Sequence, residues 1–373
     1  MKPLLTGACA VALGSLAYAG TEPASDWLGL DQELNALSSN VNTQGNGPSI
    51  QALVRAAYIN ASKDDFAGFG GNDQLGLVID EVELGLEGQV GDYFWRVGVD
   101  FGQANSPYYI GNLVGASTLA NTPASDRLED AYTRLPLGDQ FSVQIGHFVF
   151  PMTFSSDVDS GNLILPARTT LGEYFHNYDL GAMFSGDYDQ LSWHVAAMNG
   201  SDGTADEQKL AARVVFDFGA GALDHEGALG ANEDLNASVG VTYCDDGAID
   251  NSTILGFDAM ATVGDFSFGA EYASFDDGHA AAGFGASTGL NYTDGMSVWA
   301  LTVGFLLNEQ FEIAGRFETL DDVDDTTVTT LGVNYYQVEH MAKWHLAYMD
   351  FASDVAGNEG TLISLGVTVG AGR

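Results

Sequence analysis

Period-two alternation of apolar and polar residues runs through almost the whole chain and constrains it more than any other feature. A strand points successive side chains to opposite faces, so this pattern describes a sheet with one apolar and one polar face. Ala52, Val54, Ala56 and Tyr58 alternate with Gln51 and Arg55. Val82, Leu84, Leu86 and Val90 stand against Glu81, Glu83, Glu87 and Gln89, and Trp95, Val97 and Val99 against Arg96 and Asp100. Phe311, Ile313 and Phe317 oppose Glu312, Arg316 and Glu318, and Trp344, Leu346 and Tyr348 follow the same rule against Lys343 and His345. Counting such segments gives about sixteen strands of roughly nine to eleven residues, the length that crosses a bilayer at a tilt.

The connections alternate in length as well. Gly91-Asp92, Pro136 to Asp139, Asp187 to Gln190, Gly264-Asp265 and Leu307 to Gln310 read as tight turns, whereas Ala61 to Asp73, Gln103 to Arg127 and Phe275 to Asp294 are long. Short turns at one end and long loops at the other are the pattern of an outer-membrane barrel. Gly219 to Asp234 departs from it, being long where a short turn is expected. A soluble β-sandwich would alternate too, but one unbroken meander of sixteen segments favours the barrel. Tyr58, Trp95, Trp299, Trp344 and Tyr348, near strand ends on the apolar face, fit aromatic girdles. The expected fold class is therefore all-β, a transmembrane antiparallel β-barrel.

Between the fifth and sixth strand patterns, within Phe141 to Gly186, lies a connection too apolar for a solvated loop and interrupted by Pro151 and Pro166. Long connections of this kind generally have a functional reason. Folding into the lumen as a constriction loop after strand 5 supplies one.

The 373 residues carry a formal net charge of −39, with only four Lys and eight Arg. No nucleic-acid partner is expected, because binding that backbone needs cationic side chains to displace counterions. An acidic surface suits high salt, and it also attracts cations. At the N-terminus, Lys2, the apolar stretch Leu4 to Leu16 and Ala17-Tyr18-Ala19 read as a signal peptide over 1–19. Cleavage there leaves Cys244 as the single cysteine. Residues 20–48 read as a periplasmic N-terminal segment with a possible short helix, and 49–373 as the barrel. The chain ends Val369-Gly370-Ala371-Gly372-Arg373, without the aromatic residue on which such barrels commonly finish.

Six stretches, in order, resemble the phosphate-selective porin family, porins O and P. They are VELGLEGQVGDYFWRVGVDFG (Val82 to Gly102), LEDAYTRL (Leu128 to Leu135), QIGHFVFP (Gln144 to Pro151), DLGAMFSG (Asp179 to Gly186), AAMNG (Ala196 to Gly200) and NYYQVEHMAKW (Asn334 to Trp344). The resemblance implies a sixteen-stranded barrel in the bacterial outer membrane, usually a homotrimer, with the loop after the fifth strand folded inward. The departures concern selectivity. Ile79-Asp80-Glu81-Val82-Glu83 stands where the family's anion-selective members have a basic cluster, and Tyr178 precedes Asp179 where Arg is common.

If the apolar faces meet lipid, the alternate residues line the lumen. Glu81, Glu83, Arg96, Asp100, Asp130, Arg134, Arg213, Glu271, Arg316 and Lys343 are then pore-lining. The inserted loop brings Asp157, Asp159, Arg168 and Glu173 to the constriction, with Asp179 beginning the next strand. The Debye length is about 10 Å in 0.1 M salt and about 3 Å in 1 M, so in saline water the narrowest point decides selectivity. Carboxylates there stabilise passing cations.

The functional expectation is a porin for passive diffusion of small hydrophilic solutes and ions, weakly cation-preferring. Its partners are outer-membrane lipid and those solutes. Anion or phosphate selectivity is the alternative that the family resemblance carries. An outer-membrane enzyme would need Ser and His in contact; His147, His176, His194 and His345 sit in no nucleophile motif. A surface-binding barrel would use the acidic loops. There the run Asp321-Asp322-Val323-Asp324-Asp325 lacks the Gly and distal Glu of a calcium loop. No cofactor, metal or catalytic residue is assigned.

Overall fold

The computed structural model describes residues 48–62, 74–102, 108, 128–204, 206–292, 294–354 and 359–371. The expected signal peptide, nearly all of the 20–48 segment and much of the first two long links lie outside them. Sixteen strands close into one antiparallel barrel in sequence order, with β16 (Gly360–Ala371) pairing back onto β1 (Ser49–Ala61). The others are β2 (Gln74–Val90), β3 (Tyr93–Asp100), β4 (Leu128–Pro136), β5 (Phe141–Val149), β6 (Tyr178–Tyr188), β7 (Leu191–Met198) and β8 (Lys209–Phe218). They continue with β9 (Asn236–Asp246), β10 (Ile254–Val263), β11 (Phe266–Phe275), β12 (Met296–Asn308), β13 (Phe311–Thr319), β14 (Thr327–Val338) and β15 (Ala342–Ala352).

The wall is inside out relative to a soluble protein. Leu301, Leu331 and Leu346 are more than half exposed, while Arg96, Glu312 and Lys343 are at most 3 % exposed. Closure removes every sheet edge, the condition for strands to cross hydrocarbon. Among the described residues no helix is long and apolar enough to span a membrane. Outward aromatics gather at the short-turn end of β5–β7, where Phe184 lies 5.7 Å from Phe141 and 5.2 Å from Trp193 between ring centroids.

Two irregularities change which residues face inward. The β1–β2 register slips between Arg55 and Ala56, leaving Asp80 as an extra residue beside Glu81. Both carboxylates therefore turn to Arg55, at 3.3 and 3.0 Å. A second slip, between Val97 and Val99 on β3, turns the consecutive Glu129 and Asp130 of β4 to the interior. Bulges re-aim side chains in this way.

The segment between β5 and β6 lies inside the barrel. It contains α1 (Phe154–Asp157), a 3₁₀ turn (Ser160–Asn162) and α2 (Thr170–Phe175). Thr153 caps α1 in a reciprocal box with Ser156, and Thr169 caps α2 by accepting from the Gly172 amide at 2.8 Å. Its apolar character has a packing reason. Ile164 and Leu165 cross to the far wall and pack with Ala314, where Gly304 and Gly332 leave the space they need. A Cβ at either glycine would sit 2.6 Å from Ile164 Cδ1 or Leu165 Cδ2.

Candidate functional site: the lumen and its inserted segment

An irregular segment in an enclosed space brings backbone groups with no sheet ladder to join. Each group left unpaired costs about 1–3 kcal/mol. The lumen's charged side chains meet this need by sign. Cations and amides on the wall take the segment's carbonyls: Arg55 donates to Pro166 O, Arg213 Nη1 to Met152 O at 2.8 Å, and Arg316 Nη1 to Ala167 O at 2.7 Å. Lys343 Nζ donates to Leu163 O at 2.5 Å and Asn334 Nδ2 to Ile164 O at 2.6 Å. Carboxylates take its amides: Asp258 accepts from Phe154 N at 3.2 Å, Glu271 from Ser155 N at 3.0 Å, and Glu318 from Thr170 N at 2.6 Å. With Thr242 Oγ1 of β9, which donates to Met152 O at 2.6 Å, donors and acceptors on eight strands thus clasp one segment.

The expected pore-lining residues divide accordingly. Arg213, Glu271, Arg316 and Lys343 hold the segment, and Arg213 also forms a two-point pair with Asp258 at 2.5 and 2.8 Å. Glu83, Arg96 and Asp130 form a buried cluster on β2–β4, in which Arg96 lies 2.7 Å from Asp130 and 3.2 Å from Glu83. Arg134 spans Gln144, at 2.7 and 2.9 Å, and stacks over Phe94 and Tyr132. Glu81 and Asp100 face open space, the latter also accepting from Val82 N at 2.9 Å.

Two cavities flank the segment. One, of about 810 Å³, lies towards the long-loop end against β1–β6. Asp80, Glu81, Asp100, Glu129 and Glu173 line it against Arg55 and Arg168, five carboxylates to two cations. The other, of about 530 Å³, lies towards the short-turn end against β7–β10. Asp157, Asp159, Asp217, Asp224 and Asp258 line it against Arg213, five to one. The short stretch 158–163 is shared between them. Val158, Asp159 and Asn162 face the second cavity, and Ser160 and Leu163 the first.

Of the expected constriction residues, Asp157 and Asp159 therefore lie on one side of the segment and Arg168 and Glu173 on the other. Burial raises the Glu173 carboxyl above the ordinary glutamate range, against the pull of Arg168 and Arg55. Arg168 acts mainly as an internal brace: it donates to Ser155 O at 2.8 Å, to Val158 O, and to Ser160 Oγ at 3.1 Å. Asp179 does not join them. Its carboxylate accepts from Leu180 N at 2.7 Å and Gly200 N at 2.8 Å, tying β6 to the β7–β8 link.

Reading the sequence misses Asp80 and Glu129, because strict alternation places one of each adjacent pair outside. It also misses Glu226, which enters from the β8–β9 link. The unusual length of that link is the only sequence signal for it. Ser185 Oγ and His194 Nδ1 meet at 2.9 Å as direct cross-strand partners, a contact the β6–β7 register dictates.

A closed sixteen-stranded barrel with a segment clasped in its lumen defines a porin. The model of the phosphate-selective porin O and P family matches residues 59–275, and the chain belongs to that family. It is a channel of the bacterial outer membrane. A comparison with curated proteins finds no match. Among solved structures, an anion-selective porin from Comamonas acidovorans aligns with a TM-score of 0.56 at 11% identity, over 87% of this chain and 99% of that one. The outer-membrane channel DcaP of Acinetobacter baumannii aligns with a TM-score of 0.56 at 12% identity, over 88% and 98%. A loop-deletion mutant of OmpT, an outer membrane protein of Vibrio cholerae, gives 0.55 at 10% identity, over 87% and 99%. These likenesses concern the fold.

Proposed function

We propose that this channel passes small hydrophilic solutes and ions by diffusion, with a weak preference for cations instead of the anion selectivity in the family's description. One observation carries the reading: both cavities flanking the inserted segment are lined by more carboxylates than cations, five to two and five to one. The lumen's cations are committed elsewhere. Arg55, Arg213, Arg316 and Lys343 spend donors on backbone carbonyls, and Arg96 is enclosed by Glu83, Glu87 and Asp130. A permeant anion would have to displace those bonds, whereas a permeant cation meets carboxylates that outnumber the cations on both sides of the segment.

Reconstitution in a planar bilayer under a salt gradient tests this. The expected result is stepwise conductance with a reversal potential of the sign for cation preference; an anion-selective potential would overturn it. The expected homotrimer belongs to the same proposal. Its test is the mass of the detergent-solubilised particle, for which a monomeric mass would speak against the trimer.

A further inference from the structure

We propose that the link between β8 and β9, residues 219–235, is a second narrowing element of the channel. It enters from the short-turn, periplasmic end, and Glu226 ties it to the inserted segment. The proposal rests on channel function and is independent of the cation preference.

Every other short-turn connection in the described barrel has only two to four residues. This one runs inward until Glu226 meets the inserted segment and Ala228 meets β13. Glu226 is 5 % exposed, and its carboxylate accepts from Ile164 N at 3.1 Å and from Arg316 Nη2 at 3.3 Å. Its own amide donates to Asn162 O at 3.0 Å. Two of these partners belong to the stretch around the 3₁₀ turn that separates the cavities. The next contact lies on β13, where Glu312, fully buried, accepts from Ala228 N at 2.7 Å. Gly227 between them has φ +97°, and a Cβ there would meet Glu312 Oε2 at 2.7 Å, so the approach is built for glycine. Beyond it, the His225 ring lies 4.4 Å from that of His340 in the β14–β15 turn.

The root of the link is fixed too. Asn236 Oδ1 accepts from Ala220 N at 2.7 Å and Ser238 Oγ from Ala222 N at 2.8 Å. Between root and tip, Ala222, Leu223 and Asp224 form part of the wall of the 530 Å³ cavity, facing Asp157 and Asp159. The link therefore bounds the space through which a solute leaves the inserted segment. Glu226 couples its position to that segment through Arg316, which holds Ala167 O with its other terminal nitrogen at 2.7 Å.

Single-channel conductance in planar bilayers is the test, with folding checked by heat-modifiable migration on gels. Replacing residues 219–235 by Gly-Asp, the turn that joins β2 to β3, should raise conductance at least roughly twofold by removing the lower wall of the path. Leu223→Trp adds bulk at the same wall without touching Glu226 and should lower conductance. Wild-type conductance in both folded variants would overturn the proposal. If the shortened barrel fails to fold, Leu223→Trp decides alone, with a lowered conductance supporting the proposal and an unchanged one overturning it. Reversal potentials recorded in the same bilayers judge the cation preference separately, since an anion-selective wild type would sink that reading and leave the conductance comparison intact.

Discussion

The segment between β5 and β6 and the link between β8 and β9 enter one lumen from opposite ends, and they are held there differently. The first is gripped along its length by side chains from eight strands, each taking a carbonyl or an amide. The second is fixed at its root by Asn236 and Ser238, while its tip hangs on Glu226 and the acceptor Glu312. Distributed contacts resist the loss of any one of them, so the upper segment tolerates damage geometrically. A tip held by two carboxylates, one backbone bond and one ring contact has fewer to lose. The difference also explains the mixed charge of the lumen. Its charges serve backbone groups first, and what they leave unused sets the field seen by a solute.

The comparison can be broken most severely at Arg213. Arg213→Met leaves Asp258 enclosed without its two-point partner and should cost about 3–5 kcal/mol. Urea unfolding of the folded barrel, followed by loss of heat-modifiable migration, measures it. A cost below about 1 kcal/mol would mean that the grips are redundant in energy as well as in geometry.

Next in size is the contrast between Glu226→Ala and Asn334→Ala. The first removes the carboxylate that ties the link's tip to Ile164 and Arg316 and should cost about 1–3 kcal/mol, with frequent switching between conductance levels. The second removes one grip of many, and its current traces should stay as steady as the parent's. Equal noise from the two variants would erase the distinction.

A smaller effect is expected from Asp157→Asn combined with Asp159→Asn. It lowers the carboxylate count of the lower cavity from five to three and should move the reversal potential towards zero without changing stability much. An unmoved potential would place selectivity elsewhere in the lumen.

The smallest is a pH dependence from Glu173. Burial lifts its carboxyl above the ordinary range, so on acidification from neutrality it takes up a proton before exposed carboxylates do. Cation preference should weaken over that range, and Glu173→Gln should make the weakening smaller while the other carboxylates of that cavity continue to titrate. The sign for stability is opposite to that of a salt-bridged acid. A raised folded-state value means that ionised Glu173 costs stability at neutral pH, and the cost fades as pH falls through its pKa.

Much of this molecule was legible in the chain. Alternation in Val82–Val90, Phe311–Phe317 and Trp344–Tyr348 assigns faces because a strand's period is fixed at two by backbone geometry, whatever surrounds it. Sixteen such segments with alternating short and long connections left a closed barrel as the architecture, and the apolar stretch with Pro151 and Pro166 marked the inserted segment. Local rules stop where partners are distant in sequence. Asp80 and Glu129 turn inward only because two register slips break the alternation, and a slip belongs to a pair of strands. Arg316 and Lys343 read as lumen cations, yet whether they face a solute or a carbonyl depends on a loop 149 and 180 residues away, at Ala167 and Leu163. The link at 219–235 showed itself as a wrong length and nothing more. The sequence by itself determined which faces meet lipid and water, since that follows from periodicity; the tertiary structure alone decided which charges remain available in the lumen, since hydrogen bonds to an inserted backbone form only once the barrel has closed around it.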